Sequence, residues 1–323
     1  MQRRHLLGAL GAGAAAWALP AAAQTAFPSR SLTIVVPASP GGAIDLAARL
    51  IGQKLSEAWG QPVVVDNRAG ATGIIGTDFV AKSPPDGHTL ALVASSHAIN
   101  PSMVRKLPFD TLRSFEPMVL THVVPLVLVV APSLPVRSVQ ELVAYAKARP
   151  GQLAFASSGS GGAPHFSGEL FKSMAGLDLT HIPYKGSTLA HPDLMSGRVA
   201  LMFDTLAAVN AQVKAGKLRA LAVTTPRRVA MLPDVPTMAE AGLPGYETST
   251  WGGLLAPAGT PAAAIGRLNT EVDRILALPE VRQHFQNAGM EPGGGTPQQF
   301  GAFIASEMAK WAQVARQAGI QPE

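Results

Sequence analysis

A chain of 323 residues, 47% hydrophobic and 15% charged, is too apolar to be disordered and can hold two cores, since a single core stops growing near ~250 to 300 residues. It contains no cysteine, which excludes disulfides, thiolate metal sites and cysteine nucleophiles. The formal charge of +5 comes from scattered basic residues and falls to +3 without Arg3 and Arg4; with only 6% aromatic residues, no stacking platform or basic stripe points to nucleic acid.

Residues 1–23, MQRRHLLGALGAGAAAWALPAAA, open with basic residues, continue through an apolar stretch from Leu6 to Leu19 and end on Ala21, Ala22 and Ala23. This is the pattern of an export signal cleaved after about Ala23, and the apolar stretch is shorter than the ~20 residues a membrane span needs. Arg3 and Arg4 followed by Leu6 and Leu7 also fit a twin-arginine signal, so both that route and general secretion stay open. No later segment reaches the ~18 apolar residues of a spanning helix.

The mature chain opens with LTIVVPASPGGAIDLAARLIGQKL (Leu32 to Leu55): an apolar run, a glycine-rich turn and an amphipathic helix. Ile44, Ala47, Ile51, Leu55 and Ala58 fall on one helical face, with Gly60 as the stop. Short apolar runs follow at Pro62 to Asp66, Thr89 to Ala94 and Pro125 to Ala131. The opening design then recurs in LAFASSGSGGAPHFSGELFKSMAG (Leu153 to Gly176), with Pro164 near the helix start, Phe166, Leu170 and Met174 on one stripe, and Gly176 after the last turn. Val199 to Phe203 and Leu218 to Val223 complete the strands. Strands alternating with helical patterns predict an α/β fold with parallel sheets. In each glycine-rich unit a buried strand delivers a turn to the open end of the sheet, where the next helix presents unpaired N–H groups and partial positive charge. Two such anion sites, about 120 residues apart, predict one small anion held between two halves of the fold.

Catalytic signatures fail. There is no GxxxxGK followed by Ser or Thr, the dinucleotide fingerprint is broken where Gly159 and Gly161 lead to Pro164, no GxSxG elbow occurs, and no HExxH pair exists among the eight histidines. A non-enzymatic binding protein without metal or cofactor is the expectation.

The segments VVPASPGGAIDLAAR, VVVDNRAGATGIIG, SPPDGHTL, SSHAINP, ASSGSGGAPHFSGELF, HIPYKGS, GRVALMFD, LRALAVTT, LPDVPTMAEAGLPGYE and WGGLLAPAGTP together closely resemble the solute-binding receptors of tripartite tricarboxylate transporters, the Bug family, over essentially the whole mature chain. The resemblance implies a two-lobed periplasmic-binding-protein fold (type II-like) with a ligand cleft between lobes. One lobe would hold residues 24–123 plus 248–323 and the other residues 124–247, after the signal peptide of residues 1–23. It further implies a monomeric periplasmic receptor that captures a small organic carboxylate and delivers it to the transporter's membrane subunits. A sensing partner of a signalling receptor and an enzyme of the same fold are the alternatives.

Carried over by that resemblance, the first loop puts Ser39, Pro40, Gly41 and Gly42 at the ligand. Asp45 either braces the loop or interacts with the helix start. Ser96 and His97 either donate into the cleft or form a surface turn, and Ser158, Gly159, Ser160, Gly161 and Gly162 form the second anion cradle. His165 either meets the ligand or holds the turn. Tyr184, in the YKG segment, either walls the pocket or packs, and Asp204, at a strand end, either faces the ligand or caps a helix. Arg68 is set aside as structural. Ile44 stands where relatives carry a smaller or more polar residue, which makes the rim of the first loop more apolar. His191 and Pro192 are expected to interrupt the helix after YKGS.

Overall fold

Both predicted strand, turn and helix units form. The computed structural model describes residues 27–322, so the expected export signal and its cleavage point lie outside the described residues. The first unit is β1 (Leu32–Val36) and α1 (Ala43–Trp59), which ends on Gly60 in the left-handed conformation. It continues through β2 (Val63–Asn67), a 3-10 turn at Ala71–Gly73, α2 (Ile74–Ala81), β3 (Thr89–Ala94) and the short α3 (Ser96–Ile99). The chain then runs through β4 (Phe115–Val130) and α4 (Val139–Lys147) into the second unit, β5 (Leu153–Ser157) and α5 (Ala163–Ala175). Next come β6 (Leu179–Pro183), α6 (Ser187–Met195), β7 (Leu201–Thr205), α7 (Leu206–Lys214) and β8 (Arg219–Val223). The last part is β9 (Ser249–Pro257), α8 (Ala262–Ala277), α9 (Pro279–Asn287), β10 (Glu291–Gly294) and α10 (Pro297–Gln317).

The strands run in the order β2-β1-β3-β9-β4-β7-β5-β6, with β8 and β10 both added on β4. β1 is parallel to β2 and β3, and β5 is parallel to β6 and β7. Between these two parallel groups lie β9 and β4, antiparallel to their neighbours, so the sheet is mixed rather than parallel throughout. The 16 residues of β4 serve both groups. Phe115 to Pro125 pairs with β9, whereas Leu126 to Val130 pairs with β7 and β8.

Helices cover both sheet faces, which is why the strands read as continuous apolar runs. Leu32, Ile34 and Val36 pack against Ile51, Leu55, Leu268 and Val272 on one face, while Val35 and Val93 meet Phe300 and Trp311 on the other. Further along, Leu128 and Val130 join Phe155 and Phe171, and Val127 and Val129 join Met202 and Val209. Full burial of each large side chain contributes roughly 1.5 to 3 kcal/mol. The predicted helical faces need two corrections: Ala58 is exposed and Met174 is 38% exposed, because the last turns of these helices turn Leu55 with Trp59, and Phe171 with Ala175, to the core instead. α6 also continues through Pro192 instead of breaking there, with His191 buried beneath it.

The chain crosses between the strand groups twice, and hydroxyls tie the crossings together. Thr224 Oγ1 lies 2.6 Å from Thr248 O and 3.1 Å from Leu126 O, and Thr248 Oγ1 lies 2.9 Å from Ser167 Oγ. Ser167 also donates to Ala163 O at 2.7 Å, while its own carbonyl accepts from Tyr246 Oη. The start of α5 is thereby bound to the crossing strand. On the other side Ser95 Oγ, beside the cavity described below, sits 3.0 Å from Thr250 Oγ1 of β9.

Candidate functional site

The first loop is exposed and carries no side-chain cap at the start of α1. Ser39, Pro40, Gly41 and Gly42 form it, and Gly41 takes φ +89, a region that favours glycine. Its N–H donates to Asp45 Oδ2 at 2.9 Å. Asp45 is itself buried and accepts from Arg49 Nε at 3.0 Å and from Asn67 Nδ2 at 2.9 Å. Burial alone would raise its carboxyl; the bonds from Arg49, Gly41 and Asn67 outweigh that and hold it below the ordinary carboxylate value. Asp45 braces the loop.

A cavity of about 340 Å³ opens beside this loop. Its wall takes Ser39 and Ile44 from the first unit, Gly70, Thr72 and Gly73 from the turn after β2, and Ser96, His97 and Asn100 from the segment after β3. The middle contribution was not foreseen. Ala71 and Thr72 hold φ of +46 and +54, strained values for residues with a Cβ, and Asn100 Nδ2 donates to Thr72 O at 3.2 Å. The glycine content of RAGATGIIG was the available signal. Arg68 pairs with Asp66 at 2.7 Å and stacks 3.5 Å over Phe79, in keeping with a structural role.

Ser96 lines the cavity, but His97 does not donate into it as a cleft donor would. Its ring is 3% exposed, beside Phe109 and Phe115, and Nε2 lies 3.1 Å from Thr111 O. A carbonyl only accepts, so Nε2 carries the proton and Nδ1 is left as an acceptor. Burial pushes His97 down to about 4, so the ring is neutral at pH 7.

The second loop repeats the first. Ser158, Gly159, Ser160, Gly161 and Gly162 lead into α5, which has Pro164 in its first turn and no side-chain cap. Gly159 and Gly161 hold φ of +145 and +77. Gly161 N–H donates to His165 Nδ1 at 3.3 Å, so His165 holds the turn. Below lies a cluster that sequence reasoning missed. Ser157 Oγ donates to Gly159 O at 2.9 Å and sits 2.7 Å from His181 Nε2, which must therefore donate to it. The His165 and His181 rings stack with centroids 3.9 Å apart. Burial pushes His165 down to about 3, aided by the neighbouring His181 and by Lys172, and pushes His181 down to about 4, aided by Lys172, so both imidazoles stay neutral. The histidine of HIPYKGS is the only sequence mark of this support.

The second loop approaches the segment after α3 at one place. A Cβ on Gly161 would lie 3.6 Å from Met103 Cγ, three residues beyond Asn100 of the cavity wall, and Phe166 packs with Val93, Ala98 and Ile99 beneath it. Tyr184 and Asp204 are turned to internal partners. Tyr184 Oη donates to Asp193 Oδ2 at 2.7 Å while its ring packs with Ile182 and Ala190, so this aromatic is packing. Asp204 is 1% exposed; it accepts from Ser187 Oγ at 2.7 Å and from Thr205 N–H at 2.8 Å, and lies 2.8 Å from His191 Nε2. It ties α6 to the strand end, and Thr205, not Asp204, occupies the cap position of α7. Among the described residues no group of acidic residues and histidines is placed to hold a metal, and no helix is long and apolar enough to cross a membrane.

The profile described as "Tripartite tricarboxylate transporter family receptor" matches residues 47–320. The chain is 41% identical over 325 residues to Protein BugT of Bordetella pertussis, covering 99% of each. Among solved structures it resembles R. palustris Rpa4515 with adipate (TM-score 0.81, 43% identity, 92% of this chain and 100% of that one). It also resembles MatC from Rhodopseudomonas palustris with bound malate (TM-score 0.76, 31% identity, 90% and 100%). These neighbours share the two-lobed periplasmic-binding-protein fold. With a match across most of its length and a solute-binding architecture in common, the chain belongs to the tripartite tricarboxylate transporter receptor family, the Bug receptors.

Proposed function

We propose that the protein is a monomeric periplasmic receptor that closes two lobes, residues 24–123 plus 248–323 and residues 124–247, around a small organic carboxylate. It then passes the ligand to the membrane subunits of a tripartite tricarboxylate transporter. Export through a signal cleaved after about Ala23 belongs to the same reading. The observation that carries it is the pair of glycine loops, each at the end of a buried parallel strand and each leading into a helix without a side-chain cap, with a cavity beside the first that has no lysine or arginine in its wall. Adipate and malate in the solved relatives support the ligand class.

The energetics require both loops. A helix end contributes roughly 0.3 to 2 kcal/mol and a hydrogen bond to a charged group about 1.5 to 3, whereas micromolar affinity needs about 8. Contact from the second loop is gained only on closure, so the ligand draws the open and closed states toward the closed one. A thermal melt of the purified receptor against a panel of mono-, di- and tricarboxylates tests this. A bound acid at 100-fold over its Kd stabilises by about 2.7 kcal/mol. A panel that leaves the melting temperature unmoved rejects the carboxylate reading.

A further inference from the structure

α5 belongs to two cores at once. One face places Phe171 and Ala175 among Leu128, Phe155 and Phe203, and Gly168 rides so close to Phe155 that a Cβ would fall 2.2 Å from its ring. The His165 ring adds its stack on His181 of β6, with centroids 3.9 Å apart. These contacts fasten α5 to the group built on β5, β6 and β7. The opposite face carries Phe166, which is fully buried among Val35, Val93, Ala98, Ile99, Trp251 and Trp311. Among the described residues, every other buried member of that cluster lies before residue 124 or after residue 247. A ring from the middle of the chain is thus seated in a core that the two ends of the chain build.

The seat is firmly set. Trp311 meets Phe166 edge-on, with ring centroids 5.7 Å apart and planes at 83°. Its Nε1 donates to Glu307 Oε2 at 3.0 Å, and Trp251 Nε1 donates to the same oxygen at 3.1 Å, so one buried carboxylate fixes both indoles. On the other side of the seat, Ala98 and Ile99 stand between Ser96 and Asn100, two residues of the cavity wall. Two turns farther along α5, Ser173 Oγ donates to Gln317 Oε1 at 2.8 Å.

We propose that Phe166 is a positioning residue for ligand binding: its seat against Trp311 keeps the lobes together before any carboxylate arrives. The inference rests on the two-lobe receptor reading. Parting the lobes carries α5 away with β5 and draws Phe166 out, which exposes apolar surface on both sides. Burial of the ring therefore favours the closed arrangement with the cleft empty, and apparent affinity scales with the closed fraction. Phe166 does this without touching the ligand.

The chain has no cysteine, so Gln53→Cys and Lys185→Cys, at exposed positions in α1 and after β6, accept one spin label each. Pulsed electron resonance on the ligand-free receptor then reads the separation of the lobes, and one short distance should dominate. Phe166→Leu keeps an apolar side chain and loses the edge-on contact; it should raise the population at long distance about fivefold. Phe166→Ala should raise it by at least about tenfold. Phe171→Leu is the control, because it removes a ring from the same helix on the face turned to the other core: it should lower the melting temperature and leave the distances alone. A ligand-free receptor that is already mainly open overturns the proposal without any variant. Unchanged distances in the Phe166 variants, or equal opening in Phe171→Leu and Phe166→Leu, overturn it as well. The functional reading fails separately, on a carboxylate panel that leaves the melting temperature unmoved.

Discussion

Gly161 combines a positive φ of +77 with a neighbour, Met103, that a Cβ would already touch at 3.6 Å. A valine there strains the backbone by about 1 to 2 kcal/mol and fills the approach to the remaining N–H donors. Gly161→Val should therefore weaken carboxylate binding by at least about tenfold, the loss of roughly one charge-assisted hydrogen bond, with a modest drop in melting temperature; titration calorimetry checks it. The buried histidines carry a second expectation. His97 and His122 are pushed down to about 4 and His165 to about 3 by burial, so all three stay neutral in the fold, whereas the unfolded chain titrates them near 6.5. Below pH ~6.5 the unfolded state binds protons that the folded state refuses, and stability falls as pH drops toward about 4, by about 1.4 kcal/mol per pH unit for each histidine fully titrating on unfolding. Urea midpoints between pH 7 and pH 4.5 measure this slope, and a flat profile would contradict the burial of these rings.

At the scale of elements, the hydroxyl ties at the crossings link α5, and so the second loop, to β9. Thr248→Val keeps the volume and removes the contact with Ser167, leaving Ser167 Oγ with one partner fewer in a dry site. The expected loss is about 1 to 2 kcal/mol in urea unfolding. A ligand-induced compaction reduced in small-angle scattering would show that closure uses the same tie. The same elements show what was legible in the sequence. β1, β3 and β5 are buried on both faces and announce themselves as apolar runs, and the loops after β1 and β5 are marked by their glycines. β9 was not legible, because STWGGLLAP looks like a turn. Its Gly252 and Gly253 are there because a Cβ would fall 2.3 Å from the His122 ring and 2.0 Å from the Phe300 ring. The first half of β4 was hidden by Pro117 and Glu116, and the stacked His165 and His181 pair joins residues from two elements that no local pattern connects. Side-chain direction was also beyond the sequence: nothing local reveals that His97 turns toward Thr111, or that Asp204 turns toward Ser187 and His191.

For the whole molecule, the decisive feature is that β4 and β9 pass from one strand group to the other side by side, with Pro125 and Ser249 as register partners. Cα atoms so paired stand about 5 Å apart, close enough to be joined by a two-residue hairpin turn. Deleting residues 126–248 and inserting Asn-Gly between Pro125 and Ser249 should give a chain that still forms β1 to β3, the first part of β4, β9 and β10. Its stability should be reduced mainly by the loss of Phe166 against Trp311. Circular dichroism with a cooperative melt is the expected result, and a non-cooperative melt would show that the halves fold only together. A cooperative melt of that variant would make the middle third of the chain a cassette set into a host fold at a single gap, exchangeable for another while the host and its cavity are retained.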